Sequence, residues 1–479
     1  MRGAVLISCV LGVAAVASCS FDRAGLGGGS GVVDASTTTD GTTADTPPGT
    51  PDAPPSPPDA CVPGCTAAGN IDHCNGPVDV CALGCSAVGS LHCLQLTPSN
   101  GATANDLTGV TDGLVADTTQ FVFPDTDTGT IYTSDGQNNF TQLRGPGAGV
   151  IDGIGYRVTA GGIAVFAIDS LSIAPDGYMR PYGSRPVIFL SRGAVTIGGL
   201  LDMSGGCTTT NNFDRACPGP GGGTGGKPGT NGGPSSPATG CGPGGNGSHT
   251  MAGPDAGAGG GAMSVAGGAG GSGGAGGIAT VAGGLGGVPG TCANETLVPL
   301  SGGAGGGMGG NGAVGGGGGG AIQITSFVSI TVATDPAANA GAQLDATGRG
   351  GQGSATQGGG GGGAGGAILL EAPMISISGN VTTNGGGGGS GRVSANTGAK
   401  GSSTSATPAA GGAGDAIGGT GGNGGAGAIA PTAGSGLVDG GGGGGGAYGR
   451  IRFNVPASSL TTSNAVVSPA AVRGDLALQ

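Results

Sequence analysis

Glycine constrains this chain more than any other feature, because 122 of its 479 residues are Gly. Glycine has no side chain to bury and loses more backbone entropy on folding than any other residue. The glycines form irregular clusters, such as residues 315–320, and lack the third-position period of collagen. Trp is absent and aromatic residues make up 3% of the chain, which limits a core of large side chains. Much of the chain is therefore expected to lie outside a conventional packed core.

The charge of the chain argues against a nucleic-acid partner. Its formal net charge is −12, and only Lys227 and Lys400 are Lys among 15 basic residues. Affinity for nucleic acid depends on clustered cations, which this composition does not supply. An acidic chain rich in Gly, Ser and Thr instead indicates solubility outside the cell. No cofactor is predicted.

The N-terminus has the pattern of an export signal. An apolar run over residues 4–17 is too short to span a bilayer but has the length of a signal-peptide core. It ends in Val16-Ala17-Ser18-Cys19, which resembles the bacterial lipobox. We therefore expect residues 1–18 to be a lipoprotein signal peptide and Cys19 to carry lipid, anchoring an exported protein at the outer membrane or cell surface. Cleavage after Ala17 by general signal peptidase is the alternative.

A tether and a duplicated cysteine module follow. Residues 19–60 are rich in Pro, Thr and Asp, which favours extended backbone without a core. Residues 61–93 contain two copies of a Cys-x-x-x-Cys unit, each ending in His-Cys, and an exported module of this size predicts disulfides in preference to zinc. The connectivity is left open, and the module is either a recognition element or a cap for the domain that follows. Its cysteines are Cys61, Cys65, Cys74, Cys81, Cys85 and Cys93.

Short β-branched runs with turn signals follow the cysteine module. A unit of roughly 20 residues recurs at 186–206 and 367–386, reading as strand, turn, strand, turn and short strand. A further copy runs over 321–332 and resumes at 342–348 after an insertion. This predicts an all-β fold of right-handed parallel β-solenoid coils over 94–204 and 321–455, with a C-terminal segment 456–479. A β-sandwich with Gly-rich loops is the alternative.

The clearest unit predicts which side chains face the core. Aliphatic residues are expected to point inward, and the polar residues that alternate with them are expected to point outward or into turns. The inward set is Ile368, Leu370, Ile375, Ile377 and Val381. The outward set is Glu371, Ser376, Ser378 and Thr382.

Long Gly-dominated segments interrupt the repeating units, at about 205–320, 348–366 and 385–446. They read as insertions at the same point of the repeat. Such tracts are either disordered or associated as extended polyglycine strands, an arrangement that requires Gly because a Cβ does not fit. Four further disulfide candidates lie in the first insertion, namely Cys207, Cys217, Cys241 and Cys292.

Catalytic and metal-binding patterns are sparse. Candidate acids are Asp169, Asp176, Asp202, Asp345 and Glu371, with Arg180, Arg185 and Arg192 nearby in the sequence. Asp202 and Asp345 occupy the same position of the unit and could stack as a carboxylate pair, which would suit a carbohydrate-active lyase or hydrolase. Asp125, Asp127 and Asp135 form a weak calcium pattern, because no Glu closes the loop. We expect no metal and no catalytic residues.

The repeating units, together with the Gly-rich run 441–446 and the segment that follows it to Phe453, resemble the glycine-rich, PE-PGRS-like surface proteins of Gram-negative bacteria. The units are also similar to the coils of filamentous-haemagglutinin and autotransporter-type adhesins. The likeness covers roughly residues 150–455. It implies a non-catalytic surface scaffold or adhesin whose partners are glycans, other cells or further copies of itself.

Overall fold

A computed structural model describes residues 62–479, apart from 67–68, 75, 82, 89, 137–138, 209–212, 230–234, 250–254, 275–280, 291–293, 335–340, 357 and 393–394. The predicted signal peptide and tether lie outside the described residues, as do Cys19, Cys61 and Cys292. The described part is almost entirely β-structure, with one 3-10 helix at Ala104–Leu107. The prediction of an all-β fold is confirmed.

The strands are short and are numbered here in chain order. The cysteine module contains β1 (Gly64–Cys65), β2 (Ile71–Asp72), β3 (Cys85–Ser86) and β4 (His92–Cys93). The next twelve are β5 (Leu114–Ala116), β6 (Phe121–Pro124), β7 (Ile131–Ser134), β8 (Phe140–Arg144), β9 (Gly149–Ile151), β10 (Ile154–Val158), β11 (Ala164–Ile168), β12 (Leu171–Ile173), β13 (Tyr178–Met179), β14 (Val187–Ser191), β15 (Val195–Ile197) and β16 (Leu200–Asp202). The last twelve are β17 (Cys207–Thr208), β18 (Phe213–Asp214), β19 (Ala321–Ser326), β20 (Ile330–Val332), β21 (Gln343–Asp345), β22 (Ala367–Glu371), β23 (Ile375–Ile377), β24 (Asn380–Thr382), β25 (Arg450–Asn454), β26 (Leu460–Thr462), β27 (Val466–Ser468) and β28 (Val472–Gly474).

Three large sheets contain most of these strands. The first sheet has the order β28-β25-β22-β19-β14-β11-β10-β9, the second β26-β23-β20-β15-β12-β5, and the third β27-β24-β21-β16-β13-β6-β7-β8. From β11 to β27, consecutive strands enter the first, second and third sheets in turn, interrupted only by the small β17–β18 pair. Neighbours within each sheet over this stretch are parallel.

The hydrophobic core lies on the inner faces of these sheets. All five predicted inward residues of the clearest unit are buried in one cluster, so that prediction is confirmed. Parallel pairing places equivalent side chains side by side along the first sheet, where they form an apolar ladder. The ladder consists of Phe166, Phe189, Ile324, Leu370 and Phe453.

The prediction for the outward set is confirmed only in part. Ser376 is exposed and Ser378 is half-buried, but Glu371 and Thr382 are buried. On the first sheet the reason is a second apolar cluster, in which Leu369 packs with residues from distant segments, including Leu107 and Leu297. The first sheet is therefore covered on both faces, as parallel sheets usually are.

Antiparallel strands close one end of the sheets. β9 pairs with β10 and β10 with β11, while β6, β7 and β8 form an antiparallel meander at the edge of the third sheet. The Asp152-Gly153 pair joins β9 to β10 with φ of 49° and 73°. Two consecutive positive φ values are typical of a type I′ hairpin turn, and Asp-Gly is a residue pair that such turns favour.

The glycine-rich segments are ordered where the structure describes them and hydrogen-bond to one another. We call the tracts 257–261, 304–307, 315–319, 346–352, 358–366, 386–389 and 441–447 the glycine array. The central tract, residues 358–366, is completely buried. Its N–H groups donate with a period of three residues. Gly359, Gly362 and Gly365 donate to the 441–447 tract, with N···O distances of 2.8–2.9 Å.

The other N–H groups of the central tract point to two further neighbours. Residues 360, 363 and 366 donate to the 346–352 tract, and residues 361 and 364 donate to the 304–307 tract. Its carbonyl oxygens accept from three more tracts, 257–261, 315–319 and 386–389. The central tract therefore has six hydrogen-bonded neighbours. A period of three residues is also that of the extended polyproline II helix. Of the two alternatives for the tracts, the structure has associated polyglycine strands in these segments.

Close approach of the tracts explains why Gly predominates in them. A Cβ on Gly361 would overlap the carbonyl oxygen of Gly259, and one on Gly362 would overlap that of Gly386. Both obstacles are backbone atoms, which a rotamer change cannot move. The array is therefore intolerant of side chains in its interior.

We expect Gly361→Ala and Gly362→Ala each to destabilise the protein by about 1–3 kcal/mol or more, since overpacking forces backbone shifts. Thermal unfolding followed by circular dichroism measures the effect. Gly161→Ala is the matched control, because Gly161 is exposed and a Cβ there would lie 3.6 Å from Thr159 Oγ1. Unfolding midpoints for the array variants equal to that of the control would contradict the buried packing of the tracts.

Candidate functional site

Asp202 and Asp345 lie side by side, as their equivalent positions in the repeating unit predicted. They are paired in register on β16 and β21 of the third sheet, and Thr382 continues the row on β24. The preceding residues, Leu201 and Leu344, face the core, so the two carboxylates project from the other face. Both are nevertheless buried, with relative exposures of 6% and 1%.

Each carboxylate of this pair is matched by its own cation. Arg180 forms an ion pair with Asp202, and Lys400 Nζ lies 2.7 Å from Asp345 Oδ2. Ser204 donates from its backbone N–H and hydroxyl to Asp202, at 2.9 and 2.6 Å. Lys400 also donates to the Ser204 hydroxyl at 3.1 Å, which joins the two ion pairs. The paired carboxylates are thus enclosed and neutralised.

The protonation of Asp202 reflects these partners. Burial by itself would raise the pKa of the carboxyl, but Arg180, Lys400 and the Ser204 hydrogen bonds outweigh burial and lower the pKa below its ordinary value. Asp202 is therefore ionised in the folded protein. A buried, ionised and fully partnered carboxylate has the features of a structural ion pair.

Glu371, another candidate acid, also lies in a buried network. It is 2% exposed and accepts hydrogen bonds from Ser99, Gln323, Thr325 and Asn454. Ser99 contributes both its backbone N–H, at 3.1 Å, and its hydroxyl, at 2.6 Å. These hydrogen bonds link the segment around Ser99 to β19, β22 and β25 on the outer face of the first sheet.

Each of the three candidate calcium residues accepts hydrogen bonds from neighbouring protein groups. Asp125 accepts from the backbone N–H of Asp127 and the hydroxyl of Thr128, Asp127 accepts from Ser184, and Asp135 accepts from Asn139. Within the described residues no group of three or more His, Cys, Asp or Glu side chains is arranged to hold a metal ion.

Disulfides join the cysteines of the module. Cys65 bonds to Cys85, which occupies the equivalent position in the second copy, and Cys81 bonds to Cys93. Outside the module, Cys207 bonds to Cys217. Cys74 and Cys241 are also disulfide-bonded. The structure thus has three of the expected cysteine pairs, Cys65–Cys85, Cys81–Cys93 and Cys207–Cys217.

An aromatic cleft is a concave feature that the sequence did not reveal. Five of the chain's fourteen Phe and Tyr residues line it, and its volume is about 1180 Å³. The rings are Phe123, Tyr132, Phe140, Tyr178 and Tyr182. We call this feature the aromatic cleft.

Three parts of the chain form the walls of the aromatic cleft. The β6–β7–β8 meander and β13 supply Phe123, Tyr132, Phe140 and Tyr178. The segment 180–184 supplies Tyr182, and the Cys207–Cys217 disulfide with the following Pro and Gly residues forms the remaining wall. The signal available in the sequence was a concentration of aromatic residues near 121–140 in a chain that otherwise has few.

The rings at the centre of the cleft support one another. Phe123 packs edge to face against Phe140, at a centroid distance of 5.8 Å, and against Tyr178 at 6.0 Å. Phe140 and Tyr182 are the most accessible rings, with 60% and 40% of their surface exposed. Such aromatic pairs hold the rings in fixed orientations.

Two tyrosines of the cleft, Tyr178 and Tyr182, have a raised pKa. Burial, with the nearby Asp202 carboxylate, raises the pKa of Tyr178 to about 12. Burial, with Asp125 and Tyr132, raises the pKa of Tyr182 to about 12. Both hydroxyl groups therefore keep their protons, and that of Tyr178 donates to Asp202 at 3.2 Å.

The charged groups that line the cleft are paired with each other or with close neighbours. Arg180 contacts Asp202 and the carbonyl oxygen of Gly206. Asp127 lies 3.5 Å from Arg185 and accepts two hydrogen bonds from Ser184. The aromatic cleft thus presents rings and hydroxyl groups without an unpaired charge on Arg180 or Asp127.

The described part of the chain contains no helix of sufficient length and apolarity to cross a membrane. Comparison with protein-family models, curated protein sequences and solved structures gave no match to this chain.

We expect Asp202→Asn to destabilise the protein at pH 7 by about 3–5 kcal/mol, because it leaves the Arg180 charge largely buried without its partner. Asp169→Asn is the matched control, since the Asp169–Arg192 pair is about half exposed on both sides and contributes about 0–1 kcal/mol. Denaturant unfolding measures both variants. Equal losses in the two variants would contradict the structural importance of the buried pair.

The stabilising effect of Asp202 is expected to depend on pH. Because the pKa of Asp202 is lowered by folding, its contribution to stability is present above the unfolded value of about 3.9 and is lost as pH falls through the folded value. The difference in unfolding free energy between wild type and Asp202→Asn should therefore shrink below about pH 4. A difference that stays constant into that range would show that the Asp202 charge does not contribute.

Proposed function

We propose that this protein is a non-catalytic, glycine-rich lipoprotein of the bacterial cell surface, with a structural or adhesin-like role. The glycine array is the observation that carries the proposal. Backbone hydrogen bonds join its seven tracts to one another. A glycine-rich tract supplies rigidity but few side-chain functional groups for catalysis. Such an arrangement suits a scaffold that holds a surface away from the cell.

The scaffold is proposed to be a right-handed parallel β-solenoid. Successive strands from β11 to β27 enter three sheets in a fixed order, which supports stacked coils. The right-handed sense is the usual one for parallel crossover connections. The Gly-rich segments leave after the third-sheet strands β16, β21 and β24 and return at the first-sheet strands β19, β22 and β25. Their common point of departure supports insertions into a repeating coil.

The burial of Asp202 and Asp345 favours a binding role over a catalytic one. A solenoid lyase or hydrolase needs two ionisable groups that reach the substrate. The carboxylates of Asp202 and Asp345, the best candidates, are covered and ion-paired. This acid pair therefore does not support the carbohydrate-active alternative.

The lipid anchor is tested at Cys19. Cells that express the full chain and receive a fatty-acid analogue should label the wild-type protein and not Cys19→Ala, because the thiol is the acylation site. Wild type should sediment with membranes and the variant should not. Ser18→Ala is a suitable control, because it keeps a small residue before the Cys. Equal labelling of wild type and Cys19→Ala would contradict the anchor.

The surface role is tested by attachment and turnover. Cells displaying the wild-type protein should adhere to glycan-coated surfaces or to one another more than cells expressing Cys19→Ala. The purified full chain should release no reducing sugar from polysaccharides. Release that Asp202→Asn or Asp345→Asn abolishes, with the variants still folded by circular dichroism, would contradict the non-catalytic proposal and identify an enzyme.

A further inference from the structure

We propose that the aromatic cleft lined by Phe123, Tyr132, Phe140, Tyr178 and Tyr182 binds a neutral oligosaccharide. This inference rests on the proposed adhesin-like role and names the site and the ligand class for it. Four features of the cleft support this ligand: the nature of its rings, its charge, its size and its rigidity.

The rings match the chemistry of a sugar. A pyranose ring has apolar C–H faces and a rim of hydroxyl groups, so it requires flat apolar surfaces beside hydrogen-bonding groups. Phe140 and Tyr182 offer accessible aromatic surface, and Tyr132 and Tyr182 carry phenol groups. Ser184 and Thr224 add hydroxyl groups to the same lining. A purely apolar ligand would cover the phenol groups of Tyr132 and Tyr182 without offering them a hydrogen-bond partner. The hydroxyls of Ser184 and Thr224 already bond to Asp127 and Thr239.

The charge of the cleft favours a neutral ligand. The Arg180 guanidinium is ion-paired with Asp202 and the Asp127 carboxylate is close to Arg185, so neither offers a free charge to an ionic ligand. The raised pKa values of Tyr178 and Tyr182 keep both phenols uncharged at neutral pH. An acidic or basic glycan could form a salt bridge to Arg180 or Asp127 only in competition with an existing ion pair, whereas a neutral glycan requires no such salt bridge.

The size of the cleft favours a chain of sugars over a single one. Its volume of about 1180 Å³ exceeds the roughly 300–1,000 Å³ of common small-molecule pockets. The accessible rings come from segments that are distant in sequence, Phe140 on β8 and Tyr182 after β13. A cleft of this volume has room for several linked sugars.

The cleft is also held in shape before any ligand arrives. Its lining includes a three-stranded antiparallel meander and the Cys207–Cys217 disulfide. Edge-to-face contacts fix Phe123, Phe140 and Tyr178 relative to one another. A preformed site loses little conformational freedom on binding, which favours measurable affinity for a weakly interacting ligand.

The chain supplies a direct readout of binding at the cleft. It has no Trp and five Tyr, so its fluorescence comes from Tyr, and Tyr132, Tyr178 and Tyr182 all line the cleft. The purified full chain should be titrated with neutral oligosaccharides of several linkages, such as β-1,4-glucan, chitin and xylan fragments. At least one should change the fluorescence saturably, and calorimetry should give the same Kd.

Cleft variants then locate the site. Tyr182→Ala and Phe140→Ala should each weaken binding about tenfold or more by calorimetry, whereas Tyr182→Phe, which keeps the ring, should retain most of the affinity. Met374→Ala is the control, because Met374 is a large exposed apolar residue outside the cleft lining. Circular dichroism and thermal unfolding establish that each variant is folded.

Three outcomes would overturn the inference: no neutral oligosaccharide binds, the cleft variants bind as well as Met374→Ala, or the cleft instead takes polygalacturonate, a proline-rich peptide or a detergent monomer. None of these would affect fatty-acid labelling of Cys19 or membrane association. Loss of labelling with intact glycan binding would instead contradict the proposed lipoprotein and leave the cleft assignment standing.

Discussion

Backbone hydrogen bonding between closely packed glycine tracts is the interaction on which the rest of this structure depends. A buried N–H or C=O without a partner costs free energy comparable to a lost hydrogen bond, and Gly adds a large entropic cost. The central tract meets both demands by bonding to six neighbours in a repeating order. With so few large side chains in the sequence, this dense network adds to the apolar packing of the sheets.

The glycine array and the sheets also stabilise each other. Ala364 and Ala447 of the array belong to the same apolar cluster as Leu369 of β22 and Ile188 of β14. The array thus helps to cover the outer face of the first sheet, while the inner face packs on the main core. Because five of the seven tracts closely precede or follow a sheet strand, the sheets in turn fix one end of each of those five tracts. Neither layer would bury its surface without the other.

Local pattern made some of these features predictable and left others hidden. The alternation in the 367–382 unit correctly placed Ile368, Leu370 and Val381 in the core, and unit alignment brought Asp202 next to Asp345. Burial of Glu371 depends on Ser99, which is 272 residues away, so periodicity could not reveal it. The aromatic cleft was missed for the same reason, because its rings meet through an antiparallel register and a distant loop.

The threefold order of the central tract has a consequence for how such chains can vary. Adding or removing one residue turns every later N–H toward a different neighbour, about 120° around the tract axis, and breaks all the bonds that follow. Adding or removing three residues restores the same directions after one turn. Tract length in descendants of this protein is therefore constrained to change in steps of three residues, because only whole turns of the tract keep each N–H directed at its original neighbour.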